Sequence, residues 1–492
     1  MFEKITPEQA GISSSEVERF INYLNDNSLA THSLLLMKGD KLFTEAYWKP
    51  FDKDYCHRQY SQTKSFVGIA IGLLISDGKL SLNDRIADLF KERIDTEISE
   101  RLKAQTVEDM LTMRTVGVDR WWFGEDDPDR THLYFNRGKP EKLPGALWEY
   151  DSAGSQVLSS LVEKLTGMPL LDFLRERLFS HMGTFKTASI LKTPNGDSWG
   201  DSAMICTARD MASFAKLLMD GGRWQGRQLI DEGYVRRATS KLTDNSEEKY
   251  ARVFGNGYGY QIWQAPRGGF AFVGMGCQLT VVLPDKQLIF VINSDTQGNE
   301  AAYDLVVNGF LSFIADRMDE GAIAEAPREY KRLEERIASL ELHALKGETD
   351  SLLREYIDGV IYACEENPLG MTEFSFCFDE GEGVFRYTNE QGEKQLPFGI
   401  NKNAFASFPE LGYSDEVGGE ITANGHMYKD AVSLRFCGDS KLQLYVQIID
   451  KYFGNFLATF AFVGDLAECK FSATAENFLG KYRGKVTARK KK

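Results

Sequence analysis

The stretch that most constrains this chain is the apolar run at residues 66–75, Phe66-Val67-Gly68-Ile69-Ala70-Ile71-Gly72-Leu73-Leu74-Ile75. A bilayer span takes about 20 apolar residues, so this run is too short to cross one. It is read instead as a helix of a globular protein, ending at Ser76-Asp77-Gly78 with glycine at its C-cap. Ser61 and Lys64 stand at its mouth. Three residues apart on a helix, they share one face. A serine hydroxyl is a weak nucleophile near neutral pH and needs a base beside it. The unpaired N–H groups of a helix start can polarise whatever it attacks. The plain alternative is an N-cap serine next to a solvated lysine.

Composition narrows the rest. With 492 residues, 42% hydrophobic and 26% charged, the chain has material for two or three packed domains and is not a disordered one. Its net charge of −14 argues against nucleic acid or an anionic membrane as main partner. The basic cluster Arg489-Lys490-Lys491-Lys492 is small and terminal. The first residues, Met1-Phe2-Glu3-Lys4-Ile5-Thr6-Pro7-Glu8, show no leader-like apolar region. Seven scattered cysteines without a CxxC pair suit reduced thiols, hence a cytoplasmic protein.

In chain order, Val17, Phe20, Ile21 and Leu24 recur at helical spacing after a capping Ser13 or Ser14. Two strand-like runs around Lys38-Gly39-Asp40 then predict a hairpin. An irregular stretch from Val118 to Leu147, carrying Trp121, Trp122 and Phe123, reads as a loop over a site. A helical middle follows Trp148-Glu149-Tyr150-Asp151-Ser152, and strand-like runs return between Gly259 and Ile292. Early strands, helical insert and late strands predict an α/β (α+β) domain over residues 1–315, its antiparallel sheet closed by strands distant in sequence. Residues 316–350 read as a charged helical linker. Residues 351–485, with short alternating runs and Gly or Asn/Asp turns, read as a β-sandwich or barrel.

The order Ser61-Gln62-Thr63-Lys64, then Tyr150-Asp151-Ser152, then Gly274-Met275-Gly276-Cys277-Gln278 resembles the penicillin-binding protein and class C β-lactamase superfamily, with its esterase and 6-aminohexanoate-oligomer hydrolase relatives. Further matching segments, such as Asp109-Met110-Leu111-Thr112-Met113-Arg114 and Ala208-Arg209-Asp210-Met211, extend the resemblance over roughly residues 1–315. It implies the fold of those enzymes, with Ser61 as the nucleophile of an acyl-enzyme and Lys64 and Tyr150 sharing the general-base and proton-return roles. Ser152, where the family often has asparagine, keeps a hydroxyl but no amide. The N–H groups of Ser61 and Gln278 would form the oxyanion hole. The C-terminal part resembles the lipocalin-like domain of some members.

The third motif departs from the family. Met275-Gly276-Cys277 stands where a Lys or His is usual, so no cation remains there for a substrate carboxylate. Plain strand packing is the expectation for Met275 and Cys277. Gly196-Asp197-Ser198-Trp199-Gly200 matches the GxSxG nucleophile elbow, but Lys192-Thr193-Pro194-Asn195 puts a turn where that motif needs a strand, so a loop is expected. The six histidines show no metal-ligand spacing. The expected function is a serine hydrolase acting on a small ester or amide, without metal or cofactor, with a homodimer left open. The alternatives are a D-amino-acid peptidase or amidase of the same fold, and a non-catalytic binding protein that keeps it.

Overall fold

The computed structural model describes residues 2–117, 125–139, 141–248, 252–348, 351–414, 416–419 and 425–492. It divides into two compact units. The first holds Met1–Thr296, Glu300–Glu341 and Glu416–Gly418; the second holds Gln297–Asn299, Leu342–Asp415 and Gly419–Lys492.

The first unit is built on a seven-stranded sheet in the order β1-β3-β2-β7-β6-β5-β4. In chain order these are β1 (Glu3–Lys4), β2 (Thr31–Lys38), β3 (Lys41–Tyr47), β4 (Trp263–Ala265), β5 (Gly269–Gly274), β6 (Gln278–Leu283) and β7 (Leu288–Ser294). Only β1 pairs in parallel. The predicted hairpin is β2–β3. The closure by distant strands is β2 against β7, with Leu34 opposite Ile292 and Leu36 opposite Phe290. Alternate side chains on a strand point to opposite faces, and both faces here are covered. Leu34, Leu36 and Phe290 join one core with α1 (Ser14–Asp26), while Leu35, Met37 and Val291 join another with α2 (Thr63–Ser76).

Helix α2 carries the constraint read from the sequence. Every residue from Thr63 to Leu74 is buried, as a helix apolar on all sides requires. Two glycines let neighbours close on it. A Cβ on Gly68 would stand 2.7 Å from the Tyr260 carbonyl oxygen, and one on Gly72 would stand 2.3 Å from the Tyr234 ring. The helix α3 (Ser152–Thr166) packs beside it, capped by the Asp151 side chain, which accepts from the Gly154 N–H. The stretch from Val118 to Leu147 is not wholly irregular, because Arg130–Asn136 is helical and Asp129 caps it. Trp121, Trp122 and Phe123 lie outside the described residues. The charged helix Pro327–Ala338 buries Leu333 in the first unit's core.

The second unit is a closed barrel. Its ring runs through Gly392–Ile400, Glu382–Asn389, Glu373–Asp379, Ile361–Cys364, Arg483–Lys490, Leu466–Ala473, Phe453–Val463, Lys441–Ile449 and Lys429–Phe436. The last strand pairs back in parallel onto the first. Inward-facing side chains fill it. Phe374, Phe376, Phe385 and Phe460 lie with ring centroids 4.9–6.2 Å apart, as a barrel of this size permits.

Candidate active site

Ser61 lies in a short 3-10 turn, Tyr60–Gln62, that leads directly into α2. Tyr60 before it holds φ of 47°, a left-handed conformation that a bulky residue adopts only when its surroundings enforce it. Those surroundings are explicit. The Arg58 guanidinium lies 4.4 Å from the Tyr60 ring centroid and 4.6 Å from that of Trp199. Thr63 Oγ1 donates to the Tyr60 carbonyl at 2.6 Å. Thr280 Oγ1 on β6 donates to Gln62 Oε1 at 2.7 Å. The turn is therefore clamped from both sides, with Ser61 itself only partly buried.

One helical turn on, Lys64 Nζ lies 3.0 Å from Ser61 Oγ. The amine has further contacts. It donates to the main-chain oxygen of Asp201 at 2.8 Å, stands 3.7 Å from Asp201 Oδ2, and lies 5.1 Å from the centroid of the Tyr150 ring. Asp201 Oδ1 in turn accepts from Arg130 Nη1 at 2.8 Å. The side chains of Lys64, Asp201 and Arg130 are at most 2% exposed, so the three charges interact in a medium far less polar than water. Neither Asp201 nor Arg130 carries a motif, and both were missed in the sequence. Arg130 sits inside the apparent loop, and Asp201 follows the false elbow.

Tyr150 is brought to the same place by the main chain just before α3. Its ring stacks on Trp263 at 5.6 Å and lies 6.3 Å from that of Trp148. Ser152, the first residue of α3, is partly exposed. Burial raises the Tyr258 and Tyr303 hydroxyls well above the ordinary tyrosine range, so both stay protonated; the Tyr303 hydroxyl donates to the Gly274 carbonyl at 2.9 Å.

The third motif forms the turn between β5 and β6. Gly274 comes so close to the Ser61 turn that a Cβ there would stand 2.3 Å from the Gln59 carbonyl oxygen. Gln278 Nε2 donates to the Met275 carbonyl at 2.8 Å and to that of Ser294 at 2.6 Å. Ser294 Oγ donates to Gly276 O at 2.8 Å. Gln278, Gly276 and Cys277 are buried. Met275 is 43% exposed, so strand packing describes Cys277 and not Met275. The Gln278 side chain, with no exposed surface, braces the turn.

Ser198 of the GxSxG match is 3% exposed. Its N–H donates to Glu163 Oε1 at 3.2 Å and its carbonyl accepts from Gln156 Nε2 at 2.9 Å. The segment is a loop, buried from Ser198 onward, that delivers Asp201, with Gly200 N–H held on Gln156 Oε1 at 3.0 Å. Among the described residues no cluster of His, Cys, Asp and Glu is placed to hold a metal ion, and no helix is long and apolar enough to cross a membrane.

A family model described as Beta-lactamase matches residues 17–307. A 6-aminohexanoate-dimer hydrolase of Paenarthrobacter ureafaciens is 24% identical over 265 residues, covering 50% of this chain and 67% of its own length. Among solved structures, a candidate 6-aminohexanoate-dimer hydrolase from Bacillus anthracis is similar with a TM-score of 0.52 and 19% identity, over 63% of this chain and 86% of that one. A penicillin-binding protein homologue from Caulobacter crescentus is similar with a TM-score of 0.51 and 15% identity, over 63% of this chain and 99% of that one. The two structural likenesses concern the fold.

Proposed function

Because the chain belongs to the Beta-lactamase family and is a serine hydrolase, we propose that it forms an acyl-enzyme at Ser61 on a small, uncharged carboxylic ester or amide. The observation that carries this is the 3.0 Å approach of Lys64 Nζ to Ser61 Oγ in a braced turn at the start of a buried helix. Ser61 Oγ attacks the substrate carbonyl while its proton passes to the Lys64–Tyr150 pair. The scissile C–O or C–N bond then breaks, and the leaving group takes that proton. Water adds to the acyl carbon, returns a proton to the pair, and the carboxylic acid departs with Ser61 restored. The Ser61 N–H is one donor to the developing oxyanion. The second is the Gln278 N–H, at the start of β6.

Substrate preference follows from the walls. An exposed Met275 takes the position of the expected cation, and Tyr150, Trp148 and Trp263 form an aromatic cluster beside Lys64. Leu143 and Leu147, 61% and 66% exposed, lie on the segment leading to Tyr150. These features support apolar, carboxylate-free substrates. Likeness to a 6-aminohexanoate-dimer hydrolase favours an amide as the second reading. For the barrel unit, an interior filled with aromatic rings supports a packing role over carriage of a ligand.

The test is a fluorescent fluorophosphonate together with a panel of p-nitrophenyl esters, D- and L-aminoacyl anilides and a chromogenic cephalosporin. Wild type should label and Ser61→Ala should not, with turnover of neutral esters or anilides exceeding that of the cephalosporin. A protein that neither labels nor turns over any of these is a binding protein.

A further inference from the structure

Asp201 grips Lys64 twice. Its main-chain oxygen accepts from Nζ at 2.8 Å, and its Oδ2 stands 3.7 Å from the same nitrogen. Oδ2 is buried and makes no hydrogen bond among the described residues, so it meets the amine as a charge rather than as a hydrogen-bond acceptor. The other carboxylate oxygen, Oδ1, is held by Arg130 Nη1 at 2.8 Å. Arg130 begins a short helix capped by Asp129, and Arg93 Nη1 ties Asp129 down at 2.9 and 2.8 Å. On its other flank Asp201 follows Gly200, whose N–H is fixed on Gln156 of α3. The carboxylate is thus anchored independently of Lys64 and aimed at it.

We propose that Asp201, braced by Arg130, is the positioning residue that holds the Lys64 amine on Ser61 Oγ. The inference rests on the acyl-enzyme reading of Ser61 and Lys64. A long, flexible lysine side chain has many rotamers, and a misplacement of about 1 Å at a reacting group costs about 10²-fold in rate. A carboxylate at 3.7 Å in a buried setting selects the rotamer that points Nζ at Ser61. The Arg130 guanidinium keeps that carboxylate in place and balances its charge, since a buried ion without a partner is strongly disfavoured.

The main-chain contact survives any substitution at position 201, so the carboxylate is tested separately from the carbonyl. The full-length protein is titrated with a fluorophosphonate to count reactive sites, and ester turnover is expressed per titrated site. Asp201→Asn should lower kcat per site about 10- to 100-fold with KM within about twofold of wild type. Arg130→Gln should lower it less. The double variant Asp201→Asn/Arg130→Gln removes the guanidinium that Asp201→Asn strands without its carboxylate and should match Asp201→Asn, which keeps the test valid if either single variant folds poorly. If the fraction of titratable sites falls while kcat per site stays within twofold of wild type, Asp201 is only structural and the proposal is overturned. A wild type that does not react with the probe overturns the acyl-enzyme reading, and this inference with it; an active wild type with an equally active double variant overturns the inference alone.

Discussion

Thr280 on β6 donates its hydroxyl to Gln62 Oε1 at 2.7 Å, joining the sheet to the turn that carries Ser61. Gln62 passes the restraint on, donating from Nε2 to Gln59 Oε1 at 2.8 Å, and Gln59 also accepts from Asn293 on β7 at 3.2 Å. A buried amide chain thus spans two strands and the turn. Thr280→Val keeps shape and removes the donor, leaving Gln62 Oε1 without that bond. The expected result is a loss of about 1–3 kcal/mol in urea unfolding, together with a fall in kcat larger than any change in KM. An unchanged kcat would show that the turn holds its geometry without β6.

Met275→Lys should restore a cation beside the site. The wild-type side chain is 43% exposed, so a lysine there is accommodated without repacking. The measurement is kcat/KM for a matched pair of esters, one with a free carboxylate and one without. The ratio should shift about tenfold toward the carboxylate, and 0.5 M salt should erase much of the gain, because an exposed charge pair is screened within about 5 Å at that ionic strength.

Gly68→Ala tests the closeness of packing around α2. The added methyl would meet the Tyr260 carbonyl oxygen at 2.7 Å, main chain that cannot step aside cheaply. Overpacking of this kind costs about 1–3 kcal/mol. Thermal unfolding followed by fluorophosphonate labelling should show a lower Tm, with Ser61 still reactive at low temperature.

Asp430 in the barrel sets a pH dependence. Burial pushes its carboxyl up to about 7 from an ordinary value of 3.8, against the pull of a hydrogen bond from the Ala406 N–H at 3.1 Å. An acid whose folded pKa is raised binds its proton more tightly when folded. Stability is therefore undiminished below about pH 4, falls as pH rises toward 7, and is level above that. Asp430→Asn removes the penalty: its stabilisation should be near zero at pH 4 and rise to at most about 4 kcal/mol at pH 8. Denaturation curves at the two pH values check it, and equal effects at both would rule the buried acid out as the source.

Much of this protein is local, and local features are legible. The helix through residues 66–75 follows from its uninterrupted apolar side chains, and the β2–β3 hairpin from Gly39 between two alternating runs. The Ser61–Lys64 approach follows from three-residue spacing on one turn. Other features needed distance. Arg130 meets Asp201 across 71 positions, and Lys64 meets Asp201 across 137; no periodicity or motif links such residues. The turn at residues 192–195 already sets the GxSxG match aside, and burial of Ser198 beside Gln156 and Glu163 agrees with that reading. The side chain of Gln278 also needed distance to be read: its amide satisfies the Met275 and Ser294 carbonyls, the second of them 16 positions away.

Neighbouring residues alone require that an all-apolar helix be enclosed, put Ser61 and Lys64 at its start on one face, and leave the third motif without charge at Met275. These are properties of neighbouring residues, and 3.6-residue periodicity and side-chain chemistry settle them. Which buried anion answers the lysine, which cation answers that anion, and which residue of the β5–β6 turn stays exposed are settled by long-range packing. Those choices depend on side chains desolvated together from remote parts of the chain, where an unpaired charge or amide is too costly to leave unanswered.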